Sequence, residues 1–71
     1  MRLLDLKTNQ TGEISLVRNR NNPSVKMAEA MGLRKGEKIR LSQVCGRNLV
    51  LTMSGVKIII DKDIAKDIEV I

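Results

Sequence analysis

Apolar and polar residues alternate with period two along most of the chain. Ile14 and Leu16 alternate with Glu13 and Ser15, and Ile39 and Leu41 with Lys38 and Arg40. Leu49, Leu51 and Met53 alternate with Val50 and Thr52. Val56, Ile58 and Ile60 fall on one face, and Ile68 and Val70 on another with Glu69 between them. Side chains of a strand point alternately to its two faces, so each run predicts a short strand with one apolar side. One-sided strands suit an antiparallel sheet or a small barrel. Glycines in Cys45-Gly46-Arg47-Asn48 and Met53-Ser54-Gly55 supply the positive φ of tight hairpins, which makes a meander from about residue 37 to 60.

One segment departs from this period. Asn22-Pro23 reads as a helix cap followed by proline at the first helical position. Ser24 to Met31 then form a helix, with Gly32 as the left-handed residue after it and Leu33 packed back on Ala28. Met27, Ala28 and Met31 are expected on the face that lies on the barrel. Asp61-Lys62-Asp63-Ile64-Ala65 predicts one helical turn capped by Asp61, just before the last strand. The fold class expected is all-β: a small SH3-like barrel of about five strands, with a short helical insertion after the first strand.

Composition narrows the function. With 71 residues there is room for one domain, taken as residues 1–71, and such a chain has little core to spare. It has one cysteine and no histidine, so neither an internal disulfide nor a zinc site of the usual Cys/His type is expected. The 42% hydrophobic content supports an aliphatic core, and the absence of Phe, Tyr and Trp removes any stacking platform. No apolar run approaches the length of a membrane span, and Met1 is not followed by a signal-like region. A lone thiol fits a reducing compartment, and a cytoplasmic location is expected.

Net charge is +5 and uneven: residues 1–47 carry ten Lys and Arg against four Asp and Glu, whereas residues 48–71 carry three against four. The strongest surface feature is the run Arg18-Asn19-Arg20-Asn21-Asn22. Arg18 and Arg20, joined by Lys26, Arg34 and Lys35, are the candidate partner-binding residues, as a footprint for an acidic protein face or for phosphates. A solvated loop is the plainer alternative.

Candidate chemistry is sparse. Without histidine, Ser-His and Cys-His nucleophile pairs cannot form. Cys45, near Arg47, reads as an incidental thiol. Asp61 and Asp63 have the spacing of a helix cap and first turn rather than of a catalytic pair, and no EF-hand ligand run follows them. Met27, Met31 and Met53 are expected in the core rather than at a soft metal. No phosphate-cradling glycine loop is present. The expectation is a binding module with no catalytic residues, no metal ligands, no cofactor and no small-molecule substrate.

The segments "LLDLKTNQTGEI", "MGLRKGEKI", "RNLVLTMSGVKIII" and "DIAKDIEVI" resemble the ferrous iron transport protein A (FeoA) family over nearly the whole chain. The most specific piece is Met31-Gly32-Leu33 followed by Gly36, supported by Ala65, Ile68 and Val70. The chain differs from the family at Lys35, often proline there, and in a shorter turn from Cys45 to Asn48. The resemblance implies an SH3-like barrel. It also implies an accessory role in ferrous iron uptake, at the cytosolic portion of the membrane transporter FeoB and without membrane insertion. The alternatives are a regulatory module for an iron-dependent repressor and a small-barrel nucleic-acid-binding protein. The missing aromatics count against the second.

Overall fold

The computed structural model describes all 71 residues. Its strands are β1 (Thr11–Val17), β2 (Lys38–Cys45), β3 (Asn48–Met53), β4 (Val56–Asp61) and β5 (Ile68–Val70). They form one antiparallel sheet in the order β4-β3-β2-β1-β5. A helix α1 (Pro23–Ala30) is inserted between β1 and β2, and a one-turn helix α2 (Lys62–Ala65) joins β4 to β5. This is the expected SH3-like barrel with its helical insertion.

β1 is the strand that bends the sheet. Thr11 to Glu13 pair with β2, and Ile14 to Val17 pair with β5. The register with β5 shifts between Ile14 and Leu16. An extra residue at such a shift reverses the alternation beyond it. Ile14 and Val17 are therefore buried, and Leu16 is 42% exposed. The shared face expected for Ile14 and Leu16 is corrected by this irregularity. The meander β2–β3–β4 forms as expected, with Leu41 opposite Leu51 and Leu51 opposite Ile58, and the β2–β3 register shifts between Leu41 and Gln43. Ser54 (φ 50°) and Gly55 (φ 79°) form its two-residue turn, closed by Met53 and Val56. Val56 sits at that hairpin end and is exposed, unlike Ile58 and Ile60 on the same side.

The ends of α1 are built as expected. Asn22 Oδ1 accepts the Ser24 N–H at 2.8 Å, and Pro23 is the first helical residue. At the far end Gly32 (φ 116°) donates to Glu29 O, and Leu33 donates to Ala28 O, each at 3.0 Å. These are the two bonds of a Schellman cap, and they return Leu33 to the core.

The buried face of α1 is Val25 and Ala28, three residues apart. Met27 is two residues past Val25, a rotation of roughly 200°, which carries it outward. Met27 is 65% exposed and Met31 47%, against the expectation of core positions, whereas Met53 is buried. The rest of the core is aliphatic, from Leu3 to Val70, and contains no polar residue.

The two ends of the chain meet in the sheet. Val70 N–H donates to Met1 O at 2.7 Å, Arg2 bridges Glu69, and Ile71 and Glu13 exchange backbone bonds at 2.8 and 2.9 Å. No helix is long and apolar enough to cross a membrane.

Candidate functional site

The segment after α1 is laced to β1. Gly36 N–H donates to Ile14 O at 2.8 Å, and Ile14 N–H donates to Glu37 O at 2.9 Å. This lacing brings Arg34 and Lys35 beside the end of β1. The result is a surface cleft of about 330 Å³, lined by Leu16, Val17, Arg20, Glu29, Arg34 and Lys35. Three of the five predicted binding residues therefore share one site. Across it Arg20 Nε donates to Glu29 Oε2 at 3.1 Å. Arg34 and Lys35 are exposed and make no ion pair.

The other two predicted residues lie outside that lining. Lys26 is exposed on α1, one turn before Glu29 and on the same flank. Arg18 is tied to β5: its guanidinium pairs with Glu69, and its N–H donates to Asp67 O at 2.7 Å.

The asparagines of the basic loop give it a fixed shape. Asn19 takes a left-handed conformation (φ 54°), its Nδ2 donates to Asp67 Oδ2 at 3.0 Å, and its carbonyl accepts the Asn22 N–H. Asparagine tolerates that backbone better than most residues. Run composition signals a loop at these positions but cannot reveal that Asn19 reaches a residue 48 positions away.

The acidic residues are largely engaged in structural contacts. Asp5, Glu29, Asp63 and Glu69 are ion-paired, Asp61 Oδ1 caps α2 by accepting the Ile64 N–H at 2.9 Å, and Asp67 holds Asn19. The positive charge that remains uncompensated at the cleft belongs to Arg34 and Lys35. An anionic group entering beside them would meet two unpaired cations next to the apolar side chains of Leu16 and Val17.

The remaining chemistry-bearing residues are dispersed. Cys45 is exposed at the end of β2, opposite Asn48. Asp63 pairs with Arg47 at 3.1 Å. No group of three or more His, Cys, Asp or Glu residues is arranged to hold a metal ion.

On the other flank of α1 lies a groove of about 230 Å³, lined mainly by Pro23, Met27, Met31, Ile59, Ile60 and Ile64. The helix thus separates a basic cleft from an apolar groove. Met27 and Met31, expected in the core, instead line this second site.

Solved structures of known proteins share this architecture, and two of them align across 99% of the chain. The solution NMR structure of the FeoA protein from Chlorobium tepidum superposes with a TM-score of 0.86 at 22% identity, over 68% of that chain. A crystal structure described as iron uptake regulatory protein (FeoA) superposes with a TM-score of 0.83 at 18% identity, over 93% of that chain. At such identities these neighbours speak for the fold. No curated protein matches the sequence. The FeoA domain model matches residues 1–71, and the chain belongs to that family.

Proposed function

We propose that this chain is a small accessory protein of ferrous iron uptake. It docks on the cytosolic portion of the membrane transporter FeoB and modulates it by contact, without catalysis. The observation that carries this reading is the FeoA domain match along residues 1–71. The description of one structural neighbour as an iron uptake regulatory protein supports it. In this reading the 71 residues act as one domain, in the cytoplasm, recruited to the inner face of the membrane by the partner. The contact surface is the basic cleft of Arg20, Arg34 and Lys35, flanked by Lys26 and Arg18. It would take an acidic face of the transporter, and rim charges of this kind mainly raise the association rate.

The test is a titration against purified FeoB, with its GTP hydrolysis rate followed alongside. Arg34→Glu/Lys35→Glu is the informative variant, because neither residue gives up an ion pair when reversed. Saturable binding at physiological salt, weakened by that variant, supports both the partner and the surface. Binding that survives the reversal keeps the partner and moves the contact elsewhere. No binding to the full transporter or its cytosolic domain rejects the reading in favour of a repressor or a nucleic acid.

A further inference from the structure

The two edges of the sheet are finished differently. At β5 the segment Met1–Arg2 covers the outer side. β4 has no strand beyond it. Its pairing with β3 decides which of its groups are left over. The Ser54-Gly55 turn closes on Met53 and Val56, so Val56, Ile58 and Ile60 direct their N–H and C=O groups to β3. Lys57 and Ile59 direct theirs outward, and no backbone group elsewhere in the chain meets them. Ile59 is 64% exposed beside this open ladder. An exposed edge with an apolar side chain is a template for another strand.

We propose that β4 is a self-docking edge: two copies of this chain pair β4 against β4, antiparallel about a two-fold axis through Ile59. In a two-fold pairing the same patch serves both copies, so the centre of the register fixes every opposition. Centred on Lys57, the pairing sets lysine against lysine. Centred on Ile58, it sets Lys57 against Ile59. Centred on Ile59, the two isoleucines meet side by side, and each Lys57 faces Asp61 of the second copy. Lys57 has no ion pair within its own chain. Asp61 uses Oδ1 to cap α2, which leaves Oδ2 to receive it. Of these registers the one through Ile59 alone opposes unlike charges, twice, around an apolar centre.

The apolar groove adds to the same surface. Its lining includes Ile59 from the outer face of β4 and Ile60 from the inner face, so it lies at the strand's edge. A strand laid along β4 covers Ile59 and closes the side of the groove that Met27 and Met31 leave open. This surface is on the opposite flank of α1 from the basic cleft, so self-docking and transporter binding stand or fall separately.

Sedimentation velocity of the full chain across concentration tests the pairing, with isotope-filtered NMR on a mixture of labelled and unlabelled copies. The expected result is a concentration-dependent dimer with a cross-chain contact at Ile59. Ile59→Lys, at an exposed position, abolishes the dimer and leaves the melting temperature unchanged. Lys57→Glu sets like charges opposite each other twice and weakens the dimer by about tenfold or more. Asp61→Asn keeps a good helix cap. Combined with Lys57→Glu it binds more tightly than Lys57→Glu alone, because the new carboxylate no longer faces another. A chain that stays monomeric at NMR concentrations, or a dimer indifferent to Ile59→Lys, overturns the proposal. A double variant no tighter than Lys57→Glu alone overturns the register.

Discussion

Met53 Cε lies 2.5 Å from where a Cβ on Gly32 would be. The two residues meet where the end of α1 comes against the barrel. Gly32 also holds φ at 116°, a conformation that side-chain-bearing residues avoid. Gly32→Ala is therefore expected to cost about 1–3 kcal/mol, chiefly from the backbone, because the end of a methionine can move aside. Urea unfolding measures the loss. Adding Met53→Leu to Gly32→Ala should recover little of it; full recovery would assign the cost to the collision instead.

At the other end of α1, Asn22→Ala removes the acceptor of the Ser24 N–H. The expected cost is about 1 kcal/mol, or a melting temperature lower by about 4–8 °C in a domain of this size. Asn22→Asp should keep the stability, because aspartate caps equally well. An equal loss in both variants would show that the cap is not what Asn22 contributes.

These caps were legible in the sequence, because Asn-Pro and a trailing glycine act through the local backbone. The strands were legible for the same reason, their alternation being a local pattern. The departures have longer-range causes. Leu16 faces out because β1 changes partner and register partway along, which no alternation encodes. Met27 and Met31 read as core because they are apolar, yet Val25 and Ala28 already fill the inward face of a helix too short to bury more. Arg20, Arg34 and Lys35 could be named from charge. Their convergence depends on the lacing of Gly36 and Glu37 to Ile14, which only the folded chain supplies.

Leu51 is fully buried at the centre of β3. Leu51→Ala is expected to cost about 2–5 kcal/mol. A chain of this length has a total stability of roughly 4–10 kcal/mol, so the variant should be partly unfolded at 37 °C. Circular dichroism and amide exchange report it. A variant that melts like the parent would mean that the β2–β3–β4 core repacks around the gap.

Asp5 should make acid stability sensitive to one exposed pair. The Arg2 side chain, and then its backbone N–H, bond to the Asp5 carboxylate and hold it below the usual carboxylate range. A lowered folded-state value means that the contribution is complete above the ordinary carboxylate value and is lost as pH falls through the lowered one. Below about pH 4 the turn Leu3–Asp5 should loosen, seen as faster amide exchange at Asp5 and Leu6. Asp5→Asn should show that looseness at neutral pH and no further acid response in the same turn.

Glu29 is the carboxylate among the residues lining the basic cleft. Glu29→Gln removes the charge that holds Arg20, at a stability cost of about 1 kcal/mol, because the Arg20 side of the pair is exposed while Glu29 is half-buried. The variant should elute from a heparin column at higher salt than Glu13→Gln, which has the same net charge. Equal elution would mean that the cleft does not concentrate the field.

The hydrogen bond from Val70 to Met1 has a kinetic meaning. Residues at opposite ends of the chain must find each other before β5 is secured, and such pairings slow folding because a long loop is closed early. A circular permutant joined by a few glycines between residues 71 and 1, and opened between Ser54 and Gly55, keeps every strand pair while making the β5–Met1 meeting local. In that permutant β5 should be secured early, and the β3–β4 hairpin, now the distant pairing, should become the last part to form.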